Sequence, residues 1–351
     1  MNDSHCRAII GPVLGLLACI PVASVVSATE LQPVTVERLS ERVVVATTPL
    51  LGRNNVVAIA TRKGLVLIDT GACPFIAGEL KRELEKQLGR TDWAYVLNTH
   101  VHDHTGGNAL FKDVPIIAHE NAVEDTKRIA EFLASEEKKA PSLRALRGQL
   151  EKVQEQLDSG AGDGENLRGQ LAFWQGIESD IVKGFEVIGP SVTFTDELTL
   201  DMGDVTIRAA YLGRGHSQSD IAVYVPEEKL LVAGGACGPG FPKISDTVGI
   251  PDIERSMALL DRLLESGIEH VVSGHAEPKG REIAEQRRDY YRDLLAGVRA
   301  ARAQNLTLEQ AQAALGVEQR FPYMREAKVF QGTLDEAQAA NVAAVYKLVQ
   351  P

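Results

Sequence analysis

The sequence predicts an α/β fold, a sheet structure with helices packed outside it. Three observations carry that reading. The first is a series of short runs rich in β-branched residues, 35–38, 42–47, 56–61 and 65–69, separated by turn formers such as Asn54-Asn55 and Lys63-Gly64. The second is the change of period that follows: a helix over 75–88, a buried strand over 94–97 and another strand over 115–118. The third is a return to strands at 191–194, 197–200, 205–210, 221–225 and 230–233, before a helix at 253–265 and a strand at 270–272.

Between the two strand groups, residues 119–185 have helical character. Leu143, Leu146, Leu150, Val153 and Leu157 recur at alternating three- and four-residue steps, which makes a narrow apolar seam. The run SGAGDG at 159–164 breaks it, and Leu167, Leu171, Trp174, Ile177 and Ile181 form a second seam. The expectation is an inserted helical hairpin, serving as a lid, a dimer contact or plain packing. A long helix over about 280–304 leads into a helical tail over 304–351, where Thr307 is placed to cap 307–315 and a last helix covers 334–348.

The N-terminus reads as a targeting segment. Arg7 precedes an apolar stretch over residues 8–26, and the small residues before Glu30 place a cleavage after Ala28. A retained membrane anchor is the competing reading. Leu16-Leu17-Ala18-Cys19 is a poor lipoprotein box, because Leu17 is large for its place. Cleavage leaves 29–351 as the mature domain, periplasmic or secreted, with no stable membrane span. It also removes Cys6 and Cys19 and leaves Cys73 and Cys237, for which a disulfide and a metal role compete.

Hydrophobic content of 44% and charged content of 24% suit a globular protein that buries a core. A net charge of −11 argues against nucleic acid or an anionic membrane as partner and leaves a small molecule.

The chemistry concentrates in NTHVHDHTGGN, residues 98–108. Imidazole is the commonest zinc ligand, and in an extended segment residues two apart face one side, so His100 and His102 can converge on a metal while Asp103 and His104 turn elsewhere. Thr105-Gly106-Gly107 then allows a tight turn into a helix. Distant histidines are needed to close such a site. GRGHSQSD (213–220) offers His216 in a glycine-flanked loop, and VVSGHAEP (271–278) offers His275 at the end of an apolar strand. His119 and His270 lack that setting and read as ordinary surface or core residues.

LIDTG (67–71), THVHDHTGGN (99–108), GRGHSQSDIAVYVPEEKLLVAGG (213–235) and VVSGHAEP (271–278) occur in an order and spacing that resemble the metallo-β-lactamase superfold family. The resemblance covers 34–278 without the insert. It implies a four-layer αβ/βα sandwich, here with a helical insert and a helical C-terminal tail, and a site for one or two zinc ions along one edge. Carried over residue by residue, it implies a first site of His100, His102 and His216, and a second of Asp103, His104 and His275. Asp69 resembles the family carboxylate that stands behind the metals.

Two departures fall on the second site. The family pattern is His-x-His-x-Asp-His, and here the spacer before Asp103 is missing; one deleted residue displaces its neighbour by about 3.3–3.8 Å, against metal bonds of about 2.0–2.3 Å. The family also places Asp or Cys where this chain has Gly235. Cys237, two residues on, is a candidate replacement, and Lys243 a candidate for gripping a substrate carboxylate. Asp103 and His104, released from strict second-metal duty, become candidates for catalytic proton transfer. The alternative register keeps Asp103-His104 aligned and displaces the preceding histidines instead. The resemblance implies a zinc hydrolase, and together with the export read from the N-terminus it makes a β-lactam amide the leading substrate, with a lactone or ester as alternative. A weakened metal- or ligand-binding accessory protein is the competing class.

Overall fold

A computed structural model describes residues 34–48, 54–101, 103–329 and 332–350. The expected signal segment therefore lies outside the described residues, as does His102. Among the described residues no helix is long and apolar enough to cross a membrane.

The described strands form two sheets. The first holds β1 (Thr35–Arg38), β2 (Val43–Thr48), β3 (Asn54–Thr61), β4 (Gly64–Ile68), β5 (Trp93–Leu97), β6 (Ile116–His119) and β7 (Val192–Phe194) in chain order. Its first four strands are an antiparallel meander, and β4 to β7 run parallel. The second sheet runs β13-β12-β11-β10-β9-β8, built from β8 (Glu197–Asp201), β9 (Thr206–Tyr211), β10 (Ile221–Val225), β11 (Leu230–Val232), β12 (His270–Val272) and β13 (Lys279–Gly280). Asn54 and Asn55, expected in a turn, instead open β3, paired with Thr48 and Thr47. Their side chains are hydrogen-bonded to distant loops, which offsets their low strand propensity.

The strands carry continuous apolar runs because both faces are covered. Val43, Val45, Val57, Ile59, Val66 and Ile68 point between the sheets and meet Ile207, Ala209, Ile221, Val223 and Val232. The other face of the first sheet, Val44, Ala46, Ala58 and Val96, packs on α1 (Pro74–Leu88) through Ile76, Leu80 and Leu84. Behind the second sheet lie α5 (Ile250–Glu265) and α6 (Glu282–Ala303), through Leu260, Leu264, Ile283 and Ala284. The architecture is the four-layer αβ/βα sandwich.

Residues 119–185 hold three helices, not a hairpin alone. They are α2 (Ala122–Ala134), α3 (Glu136–Asp158) and α4 (Gly164–Lys183). Both apolar seams of the α3/α4 hairpin are spent against each other and α1: Leu146, Val153, Trp174 and Ile177 join the cluster of Ile76 and Leu80. Phe75 packs edge-on to Phe173, and its backbone N–H donates to Asp180 at 2.7 Å. This face lies outside the first sheet, so the hairpin packs there and does not roof the histidines. The tail helices α7 (Leu308–Ala314), α8 (Val317–Arg320) and α9 (Leu334–Leu348) make a further core with α6 and the segment after β11.

Candidate metal centre

Parallel pairing of β4 with β5 sets Ile68 beside Leu97, so the two chains leave the sheet together. Asp69 follows with φ of 64°, a left-handed conformation that costs a non-glycine residue energy. Its buried carboxylate is held twice by one residue: Oδ1 accepts from the Thr99 N–H at 2.7 Å and Oδ2 from the Thr99 hydroxyl at 2.6 Å. That hydroxyl also lies 2.9 Å from His100 Nδ1. Its single proton is committed to Asp69, so it accepts from Nδ1–H and leaves His100 Nε2 with a lone pair. Asp69 Oδ2 further stands 3.1 Å from His104 Nδ1, off the ideal hydrogen-bond line. One carboxylate thus acts on two imidazoles.

Gly106 and Gly107 are required by close approach and not by turn conformation. A Cβ on Gly106 would lie 2.0 Å from the Ala72 carbonyl oxygen, and one on Gly107 2.4 Å from that of Thr70. The chain leaving the histidines is thereby pressed against the turn after Asp69, and the helix expected there is one short 3-10 turn, Asn108–Phe111.

Among the described residues four side chains converge. The ligand atoms of His100, Asp103, His104 and His275 all lie within 4.8 Å of one another. His104 Nε2 is 3.4 Å from His275 Nε2 and 3.8 Å from Asp103 Oδ1, and His275 Nε2 is 3.7 Å from Asp103 Oδ2. Donors about 2.0–2.1 Å from a tetrahedral ion stand about 3.3–3.5 Å apart, so these spacings fit a divalent cation with little movement. Three imidazoles and a carboxylate are also the right donor chemistry for zinc. Burial disfavours a charged His104 ring, but Asp103 and Asp69 together outweigh it and raise its pKa.

His216 stands beside this group and outside it. Its ring is 4.9 Å from that of His100, edge to face, and 6.0 Å from that of His275. Its loop is fastened by Asp220, which accepts from the His216 N–H at 2.6 Å, the Ser217 N–H at 2.9 Å and the Ser217 hydroxyl at 2.6 Å. Burial nevertheless pushes the Asp220 carboxyl up to about 7. Glycines let the imidazoles lie against the second sheet: an added Cβ would come within 2.7 Å of His100 Nδ1 at Gly234, 2.4 Å of His216 Cδ2 at Gly235 and 2.8 Å of His104 Cε1 at Gly274.

One sequence candidate stands differently from expectation. Cys237 does not replace the missing ligand. Its thiol is buried among Leu260, Leu264 and Ile283, faces the Ile283 carbonyl at 3.8 Å, and is pushed up to about 11 by burial. The chain turns after Gly235, so the two-residue strand rule no longer applies there. Cys73 lies in the α1 cluster on the opposite side of the sandwich, and both thiols are free. Lys243 is exposed in the segment before α5. His119 is a packed core residue stacked on Tyr211, with ring centroids 3.7 Å apart, and His270 is exposed on β12.

Sequence reasoning passed over Asn54, Asn55, Thr99 and Asp220. Asn55 donates from Nδ2 to the Ser273 and Ala276 carbonyls at 2.7 and 2.6 Å, spanning the loop that carries His275. Two asparagines at the mouth of a valine-rich strand, where asparagine is unfavourable, were the available signal.

The family profile of the Metallo-beta-lactamase superfamily matches residues 50–275. The chain belongs to that superfamily. It is 25% identical over 120 residues to the metallo-beta-lactamase type 2 of Bacteroides fragilis, a match covering 34% of this chain and about half, 48%, of that relative. The stereoselective inverting sec-alkylsulfatase Pisa1 from Pseudomonas sp. superposes with a TM-score of 0.54 at 18% identity, over 90% of this chain and 50% of that one. A metallo-beta-lactamase from Pontibacter korlensis gives a TM-score of 0.46 at 18% identity, over 74% of this chain and 99% of its own.

Within that superfamily of metal-dependent hydrolases, the group among the described residues draws on both sets expected from the motifs, His102 lying outside the described residues. Asp103, His104 and His275, assigned together to the altered second site, meet despite the missing spacer, and His100 of the other set joins them. His102, the residue between Val101 and Asp103, lies outside the described residues, and Asp103 stands with the group although the motif is shortened there.

Proposed function

We propose that this chain is an exported zinc hydrolase that opens a β-lactam amide. The observation that carries the hydrolase reading is the convergence of His100, Asp103, His104 and His275 in a family of metal-dependent hydrolases. The curated relative, similar over half its length, supports the β-lactam, and the apolar N-terminal stretch supports export, where such a substrate is met.

Zinc bound there would polarise the carbonyl and lower the pKa of a water to about 7. The chain's own residues do the rest. His104 has no exposed surface in its side chain, so it holds and does not touch substrate. His275 is one-third exposed and marks the open side of the group. Asp103, 3.7 Å from His275, takes a proton from the attacking water. The water oxygen bonds to the carbonyl carbon, the C–N bond breaks, and the leaving nitrogen receives the proton. Asp69, through Thr99, keeps His100 turned the same way throughout.

The test is the mature protein purified from the periplasm, with metal content measured beside turnover of β-lactams, lactones, aryl esters and alkyl sulfate esters. The reading expects bound zinc, β-lactam hydrolysis abolished by a chelator, and recovery on adding zinc. Ester turnover with inert β-lactams would replace the substrate and leave the hydrolase. Bound zinc with no turnover of any class would establish the accessory protein instead.

A further inference from the structure

Asn54 is buried, 1% exposed, and its carboxamide is turned into the metal group. Nδ2 lies 2.8 Å from the Asp103 carbonyl, 3.2 Å from Asp103 Oδ2 and 3.3 Å from His104 Nε2. The two oxygens are acceptors only, which fixes Nδ2 and not Oδ1 on this side. Oδ1 is left buried and without a hydrogen bond. An unsatisfied buried acceptor is a standing cost, one that a leucine of similar size would avoid, so packing alone does not account for an asparagine here.

We infer that Asn54 is a positioning residue of the metal centre: its amide fixes the Asp103 carboxylate and holds His104 in the tautomer protonated on Nδ1. An N–H donor facing Nε2 requires a lone pair there, and the Asp69 carboxylate 3.1 Å from Nδ1 favours the proton on that side. The ring nitrogen that faces His100, Asp103 and His275 is then already in its metal-binding form. The same N–H occupies Asp103 Oδ2, leaving Oδ1 directed toward His104 Nε2 at 3.8 Å. Strand β3 supplies this grip from outside the histidine motif, where it compensates for the shortened step to Asp103. The inference rests on the metal-centre part of the proposed function and not on the substrate.

The experiment uses the full mature chain stripped of metal, with its histidine rings labelled with nitrogen-15. The ring spectrum is read for wild type, Asn54→Leu and Asn54→Ala, and zinc affinity is then measured by competition with a coloured chelator. At a pH high enough to keep the ring neutral, the wild-type His104 ring is expected in the Nδ1-protonated form. Both variants are expected to show a mixture of tautomers and to bind zinc about 10–100-fold more weakly, with unchanged circular dichroism. A wild-type ring protonated on Nε2, or folded variants with the wild-type tautomer and zinc affinity within threefold, would overturn the inference. Neither readout involves turnover, so an enzyme inert to β-lactams leaves the inference standing.

Discussion

Asp69 and Thr99 are joined by two hydrogen bonds, 2.7 Å to the backbone N–H and 2.6 Å to the hydroxyl, across the exits of adjacent parallel strands. The hydroxyl continues to His100 and the carboxylate to His104, so this pair governs both rings. Asp69→Asn puts an amide NH2 where an acceptor is needed. We expect zinc affinity to fall about 10–100-fold and stability by about 1–3 kcal/mol. Chelator competition and urea unfolding of the metal-free chain separate the two effects.

Gly235 is complementary to the His216 ring. Because a Cβ would come within 2.4 Å of Cδ2, Gly235→Ala must swing His216 away. Gly235→Asp adds a carboxylate at that position, but displaces the same ring. Because the His216 ring packs edge to face on His100, 4.9 Å away, displacing it removes a wall of the metal group, and both variants are expected to lose at least about tenfold in kcat/KM, a step of about 1.4 kcal/mol. Aspartate restoring full turnover would show that His216 is dispensable in its present place.

Asp220 gives the metal-free protein a pH signature. Its carboxyl titrates near 3.8 when unfolded and about 7 when folded, so between those values the folded state binds more protons. Stability contributed by this group is therefore lost as pH rises from about 4 to 7, by roughly 4 kcal/mol. Thermal unfolding of the chelated chain should show that fall. Asp220→Asn should flatten it while lowering stability at pH 4, since an amide cannot accept all three hydrogen bonds from His216 and Ser217.

Cys237 is a core residue, so Cys237→Ala should leave zinc stoichiometry unchanged and cost about 1 kcal/mol of stability. The native thiol, held near 11, should resist a thiol reagent at pH 8 and react on unfolding. Loss of one equivalent of zinc in this variant would restore it as a ligand.

The tail grips the segment before α5. Asn341 accepts from the Ile244 N–H at 2.9 Å and donates to the Pro242 carbonyl and the Tyr290 hydroxyl, each at 2.7 Å. Asn341→Ala strands buried partners and should destabilise the protein by about 1–3 kcal/mol. Hydrogen exchange should quicken at Ile244 ahead of the sheet.

The strands and helices were legible where periodicity is local. The β-branched runs, the two apolar seams of the hairpin and the capping Thr307 each occupy the element expected of them. Asn54-Asn55 misled because propensity counts only local hydrogen bonds, and theirs reach Asp103, Ser273 and Ala276. Ile129, Phe132 and Leu133 do fall at helical spacing, but the two longer seams that follow led the whole insert to be read as one hairpin, so α2 was not separated from it.

By itself the sequence determined the class of this protein, a metallo-β-lactamase-type sandwich with histidines on separate loops, because motif order and hydrophobic period are properties of the chain. The tertiary structure alone decided which of the described histidines meet. It closed His100, Asp103, His104 and His275 on one another despite the missing spacer, and sent Cys237 into the core. The physical reason is that a loop of a few residues can take up a one-residue deletion by changing its backbone path. The described side chains of that segment meet partners far away in sequence, Asn54 and Asp69 on the first sheet and Gly234 and Gly274 on the second.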